Sequence, residues 1–116
     1  MSLISKILGA KGENQAESYL KKKGLKILQK NYSTKLGEID LICFDKKSKE
    51  YVFVEVKSRS STEFGSPSDA VNFKKQHKIR NVASLYLKLN KLTEEKIRFD
   101  VVEVLDDKIN HIEYAF

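Results

Sequence analysis

The order of elements in this chain predicts an α/β fold, a mixed β-sheet with helices packed against it. Three observations carry that prediction. The chain has 116 residues, enough for one core and too few for two. Residues 51–57, Tyr-Val-Phe-Val-Glu-Val-Lys, form its strongest strand signal. Helical periodicity flanks the central strands instead of replacing them, which gives the order α-β-β-β-α-β-β.

The elements follow in turn. Residues 10–23 read as a helix because Ala16, Tyr19 and Leu20 recur at three- and four-residue spacing and Gly24 follows as a stop. Residues 25–32 are short and β-leaning. Residues 37–44, Gly-Glu-Ile-Asp-Leu-Ile-Cys-Phe, read as a strand, and 45–50 as a polar turn into the strand at 51–57. Residues 58–68 form a polar loop holding Gly65 and the only proline, Pro67. Ser68 is placed to cap a long helix reaching about Leu89, with the apolar stripe Val71, Ile79, Val82, Tyr86 and Leu89. Two further strands are expected at 97–105 and 109–115.

Composition narrows the function classes. Hydrophobic residues make up 41% and charged residues 33%, a soluble globular profile. No apolar run approaches the ~18–20 residues that span a bilayer, so no membrane partner is expected. The apolar stretch within residues 1–8 is too short for a signal peptide and lacks a basic start. Cys43 is the single cysteine, which excludes an internal disulfide and a cysteine-built zinc site. A cytoplasmic setting is the expectation. There is no internal repeat, low-complexity tract or long linker.

The net charge of +6 is unevenly laid out. Residues 1–35 hold eight Lys or Arg against two acids, and residues 74–98 again eight against two. Residues 36–73 hold five against seven, and residues 99–116 one against five. Basic segments thus flank an acidic middle. Such flanks suit a polyanion, most often nucleic acid, and equally suit lysine-rich helix surfaces that only keep the protein in solution.

That acidic middle carries the chemistry. Side chains alternate along a strand, so Glu38, Asp40, Ile42 and Phe44 share one face, as do Tyr51, Phe53, Glu55 and Lys57. A hairpin pairing Phe44 with Tyr51 also pairs Ile42 with Phe53, Asp40 with Glu55 and Glu38 with Lys57. The opposite face sets Ile39, Leu41 and Cys43 against Val52, Val54 and Val56 and is wholly apolar. Carboxylates opposed across a ladder stand about 5 Å apart and repel. A hard divalent cation offsets that repulsion, and Mg²⁺ is typically held by one or two carboxylates plus water and phosphate oxygens. Lys57 points to the same side and suits stabilising a phosphoryl transition state or activating a water. The plain alternative is a solvated Asp/Glu/Lys cluster at a strand end. Glu13 lies on the Ala16–Leu20 face, where a first-turn acid also serves the helix dipole. Lys75 falls on the apolar stripe of the second helix, where it either snorkels outward or reaches a phosphate.

The residues Gly9-x-x-Gly12-Glu13, Gly37-Glu38-Ile39-Asp40, Phe53-Val54-Glu55-Val56-Lys57-x-Arg59, Phe64-Gly65, Lys75 and Arg98-Phe99-Asp100-Val101-Val102 resemble the YraN-like uncharacterised bacterial protein family. That family is similar to archaeal Holliday-junction resolvases and to the wider restriction-endonuclease-like nuclease superfamily. The resemblance spans nearly the whole chain and implies one endonuclease-like domain over residues 1–116, with a restriction-endonuclease-like core. It implies that Asp40 and Glu55 are metal carboxylates, that Lys57 is the catalytic lysine, and that Glu13 matches the N-terminal helix glutamate of the resolvase-like branch and completes the metal shell. Ile39 stands where the superfamily's namesake motif has proline, a departure common in that branch.

Other residues read more blandly. His77 and His111 have no ligand spacing and are expected at the surface. Asp100 is expected to be a structural partner, Cys43 a small buried hydrophobe, and Ser60, Ser61 and Thr62 a polar loop. Three function classes follow. The first is a Mg²⁺- or Mn²⁺-dependent endonuclease on DNA, possible substrates including branched DNA. Its basic segments 21–35 and 74–80 hold the backbone, with Lys75, Lys78 and Arg59 as contacts. The second is a DNA-binding module that keeps the nuclease fold without catalysis, and the third a small interaction domain. A homodimer would match a branched substrate with two symmetric cuts. The alternating Ile112, Tyr114 and Phe116 suit either pairing between subunits or covering the chain's own sheet.

Overall fold

A computed structural model describes residues 3–59 and 71–116, with side chains from Lys11 onward in the first helix. Seven elements follow in the expected order: α1 (Leu3–Lys22), β1 (Leu25–Thr34), β2 (Gly37–Asp45), β3 (Glu50–Arg59), α2 (Phe73–Leu89), β4 (Ile97–Leu105) and β5 (Lys108–Ile112). The strands form one five-stranded sheet in the order β1-β2-β3-β4-β5. Three junctions are antiparallel, while β3 and β4 pair in parallel. A parallel neighbour needs a crossover, and the chain between β3 and β4 carries α2.

Each face of the sheet has its own apolar layer. On one, Ile79, Val82, Ala83, Tyr86 and Leu87 of α2 pack over Ile39, Ile42, Phe53, Phe99 and Val101. On the other, Ala16 and Leu20 of α1 pack over Leu41, Cys43, Val52, Val54, Val102 and Val104. Burying one such side chain completely contributes about 1.5–3 kcal/mol. Cys43 belongs to the second layer and is fully buried, as its place on the apolar face predicts.

Both helices differ from their sequence expectations at the ends. α1 begins seven residues earlier than residue 10, the start that its periodicity suggests. It stops where expected, at Gly24 with φ 96°, a left-handed conformation that glycine adopts without strain. α2 is capped by Asn72, whose side chain accepts from Lys75 N at 2.9 Å; Ser68, the expected cap, lies outside the described residues. Val71 is buried just ahead of the helix and Leu89, its last residue, is 67% exposed. Leu87 takes the buried place that the stripe gave to Leu89.

The β2–β3 hairpin has the expected register, with Phe44 opposite Tyr51 and Ile42 opposite Phe53. Its ladder ends at Leu41 and Val54, so Asp40 and Glu55 are not ladder partners, nor are Glu38 and Lys57. The neighbouring ladder is broken at the same level. It runs through Lys30↔Leu41 and Tyr32↔Ile39 but skips Asn31 and Asp40, and Asn31 has φ 49°. This kink overturns the simple alternation. Ile39 packs with Ile42 and Phe53 beneath α2, not with Leu41 and Cys43 beneath α1.

The chain ends against its own sheet. β5 stops at Ile112, short of residue 115, because Tyr114 turns the backbone with φ 52°. Ala115 N then donates to Phe99 O at 2.7 Å, and the Phe116 ring stacks on Phe99 with centroids 5.2 Å apart.

Candidate functional site

The kink in β2 aims Asp40 at β3. Its Oδ2 accepts a hydrogen bond from Val56 N at 2.7 Å, replacing the backbone carbonyl that a continued ladder would supply. Glu55 precedes Val56 and is buried, 7% of its side chain being exposed. By alternation it faces α2, and Lys75 of that helix meets it, Nζ 2.6 Å from Oε1. Lys57 lies on the same face and is close enough to Lys75 for hydrogen bonding.

The electrostatics follow from crowding. Burial pushes the Asp40 carboxyl up to about 6, the Glu55 charge adds to the rise, and the Val56 N–H and Lys75 hold it back. Glu13, reaching from α1, is raised by burial and then by Asp40 and Glu38, and it shares a hydrogen bond with Asp40. Such a bond between two carboxyl groups requires a proton. Burial lowers Lys57, and the positive charge of Lys75 lowers it further. Lys75 goes the other way: burial opposes its charge, but the Glu55 contact outweighs that and raises it.

Glu13, Asp40, Glu55 and Lys57 therefore gather at one end of the sheet, from three elements. Among the described residues no three carboxylate, imidazole or thiolate groups close around one point. The donor set suits a hard cation all the same. Asp40 and Glu55 are oxygen donors whose mutual repulsion a cation relieves, and Mg²⁺ needs only one or two protein carboxylates when water and phosphate complete its shell.

The expected nucleic-acid contacts divide. Lys75 and Lys78 line a cleft of about 410 Å³ beside the site, together with Gly37, Glu38, Asn72 and Lys74. Arg59 does not join them. Its Nε lies 3.0 Å from Glu103 Oε2, and 15% of its side chain is exposed. Phe64-Gly65 and Ser60-Ser61-Thr62 lie outside the described residues. His77 is exposed as expected.

His111 is a correction, because its side chain is 1% exposed rather than at the surface. It belongs to a buried charge cluster built around Arg98. The Arg98 guanidinium donates to Asp45 at 2.9 Å, Glu50 at 3.3 Å and Asp100 at 3.1 Å. Asp100 is fully buried, is 2.7 Å from His111 Nε2, and accepts from Tyr114 N at 3.2 Å. Lys23 Nζ lies 3.2 Å from His111 Nδ1. An ammonium only donates, so in that contact Nδ1 is the acceptor, which leaves Nε2 to face Asp100. Asp100 is thus the structural partner that the sequence suggested. The full cluster was hidden, because Arg98 meets acids about fifty positions away. The one sequence signal was the pair of acids, Asp45 and Glu50, bracketing a turn of lysines.

Comparison with known proteins adds kinship. The model of "Uncharacterised protein family UPF0102" matches residues 12–104. A UPF0102 protein of Clostridioides difficile is 54% identical over 107 residues, covering 90% of this chain and 92% of its own. One from Alkaliphilus oremlandii is 51% identical over 119 residues, covering 97% of this chain and all of its own. One from Caldanaerobacter subterraneus is 47% identical over 118 residues.

Proposed function

The chain belongs to the uncharacterised protein family UPF0102, and we propose that it is a metal-dependent endonuclease with a restriction-endonuclease-like core, similar to Holliday-junction resolvases. Its substrate in this reading is DNA, branched or structured DNA included, met in the cytoplasm during repair or recombination. One observation carries the reading: a buried Glu55 and a half-buried Asp40 stand close together at a break in the sheet, with Lys57 and Lys75 on the same side. Opposed buried acids cost stability, and catalysis is a reason to keep them.

The residues divide the work. Asp40 and Glu55 would hold Mg²⁺ or Mn²⁺, with Glu13 steadying Asp40 from α1. The ion would supply Lewis-acid polarisation of the phosphate and an acidified water. Lys57, crowded by Lys75 and partly desolvated, orients the attacking water. Lys75 and Lys78 line the cleft where a phosphate backbone would run. Phe73 begins the same helix and is 87% exposed, which suits a base stacking beside the lysines. A homodimer would place two such sites on one branched substrate.

The test is a nicking assay on duplex and four-way-junction DNA with Mg²⁺ or Mn²⁺. Cleavage by the wild type, lowered at least a hundredfold in Asp40→Asn and in Lys57→Ala, supports the assignment. Cleavage retained in either variant removes that residue from the mechanism. DNA affinity should fall steeply with salt, as phosphate contacts release counterions. A second reading has its own observation. Glu55 is bound to Lys75, and among the described residues no third ligand closes around it, as a DNA-binding module that keeps the fold without catalysis would allow. Salt-sensitive DNA binding with no hydrolysis in any metal would favour it.

A further inference from the structure

We infer that Lys75 is the internal stand-in for the metal: its ammonium neutralises Glu55 until a divalent cation takes that carboxylate, and the exchange then releases Lys75 to a substrate phosphate. The inference rests on the metal reading above and adds to it a link between metal and phosphate.

The geometry points this way. Glu55 is nearly sealed from water, and a lone buried carboxylate is costly, so it needs a positive partner in every state of the protein. Lys75 Nζ supplies one at 2.6 Å. The same side chain is 42% exposed, on the first turn of α2, so it has room to leave. It also lines the open cleft shared with Lys74, Lys78 and Gly37, and an ammonium leaving Glu55 has that cleft beside it. Lys57 is also near Glu55, but it is half-buried on β3, makes no ion pair with Glu55 among the described contacts, and Lys75 opposes its charge. One carboxylate oxygen cannot serve an ammonium and a metal ion equally, so the two cations compete.

Competition has a reciprocal consequence. If phosphate draws Lys75 away, Glu55 becomes free for metal, and if metal takes Glu55, Lys75 becomes free for phosphate. Two ligands that each release the other's site bind with positive coupling, of equal size in both directions. The site would then load its metal mainly when DNA is present.

The experiment is calorimetric titration of Mn²⁺ into the full chain near pH 8, without DNA, where Asp40 is ionised. Wild type, Lys75→Met and Lys74→Met are compared. Lys74 is exposed on the same helix and lies outside the Glu55 pair, so its variant reports the general effect of losing one positive charge. The expected result is Mn²⁺ affinity about tenfold tighter in Lys75→Met and within about twofold of wild type in Lys74→Met. Equal affinities in the two variants would overturn the stand-in role and leave the metal site intact. No binding by any of the three folded proteins would overturn the metal reading and this inference together. Should Lys75→Met fold poorly, Lys75→Gln removes the same charge with a polar end, and the same comparison applies.

Discussion

Asp40 shows how much one residue can hold in tension. Its carboxyl is pushed up to about 6 by burial and by Glu55, while the unfolded chain releases the same proton near 4. The folded protein keeps that proton over the window from about pH 4 to 6. Stability therefore falls as pH rises through the window and stays lower above it, by about 2–3 kcal/mol at most. Asp40→Asn keeps an oxygen for Val56 N and removes the charge. In metal-free urea unfolding it should be more stable than the wild type at pH 8, and the difference should close by pH 4. A variant less stable than the wild type at pH 8 would mean that the ionised carboxylate is well compensated in the fold. The closeness of the two acids was legible at this scale, since alternation puts Asp40 and Glu55 near one another on two readable strands, though they are not ladder partners. The ammonium on Glu55 was not, because nothing in a stripe of helix residues says which strand residue its lysine will meet.

At the scale of elements, the hairpin register followed from alternation near the turn, where each apolar side chain has one face to go to. The reading failed two pairs further on. The ladder breaks there for a tertiary reason, a side-chain carboxylate taking a backbone N–H, and no periodicity records that. Asn31 at φ 49° is the local mark of the same kink, and asparagine is one of the few residues tolerant of it. The seating of α1 is governed by Gly12. A Cβ placed there would lie 1.7 Å from Ser58 Oγ and 3.0 Å from Ser58 Cβ. Inside a helix, alanine normally stabilises by about 1 kcal/mol relative to glycine. Here Gly12→Ala should instead cost roughly 1–3 kcal/mol, because α1 must lift from β3 or Ser58 must move. Adding Ser58→Gly should recover much of that loss. Thermal unfolding of the two variants tests it, and a Gly12→Ala protein as stable as the wild type would show that the contact relaxes freely.

On the scale of the molecule, the Arg98 cluster ties three distant stretches together: the β2–β3 turn through Asp45 and Glu50, the start of β4 through Asp100, and the C-terminal tail through His111 and Tyr114. Tyr114 hydroxyl donates to Glu50 at 2.7 Å, the first cause of the lowered Glu50 carboxyl, and Arg98 holds Asp45 low against its burial. Removing one partner of a buried charge network leaves the others uncompensated. Arg98→Met should therefore destabilise by roughly 3–5 kcal/mol in urea, with its largest effect above pH 5, where the acids are ionised. A loss below about 1 kcal/mol would show that water or neighbouring lysines replace the guanidinium. The α/β class and the order of elements along the chain were legible from pattern. This buried network was not, since Arg98 draws two of its acids from about fifty positions away and His111 reads as a surface residue. Among the described residues no helix is long and apolar enough to cross a membrane.

The single parallel junction of the sheet sets an order of assembly. β1, β2 and β3 are joined by short turns and can find one another locally, whereas β4 reaches β3 only after α2 has crossed over. Asp40 and Glu55 both sit in the local meander, and Lys75 arrives with the crossover. A chain that gathers near neighbours first thus brings its two like charges together before the charge that reconciles them. In such a chain the step that carries α2 across the sheet is also the step that sets Lys75 against Glu55.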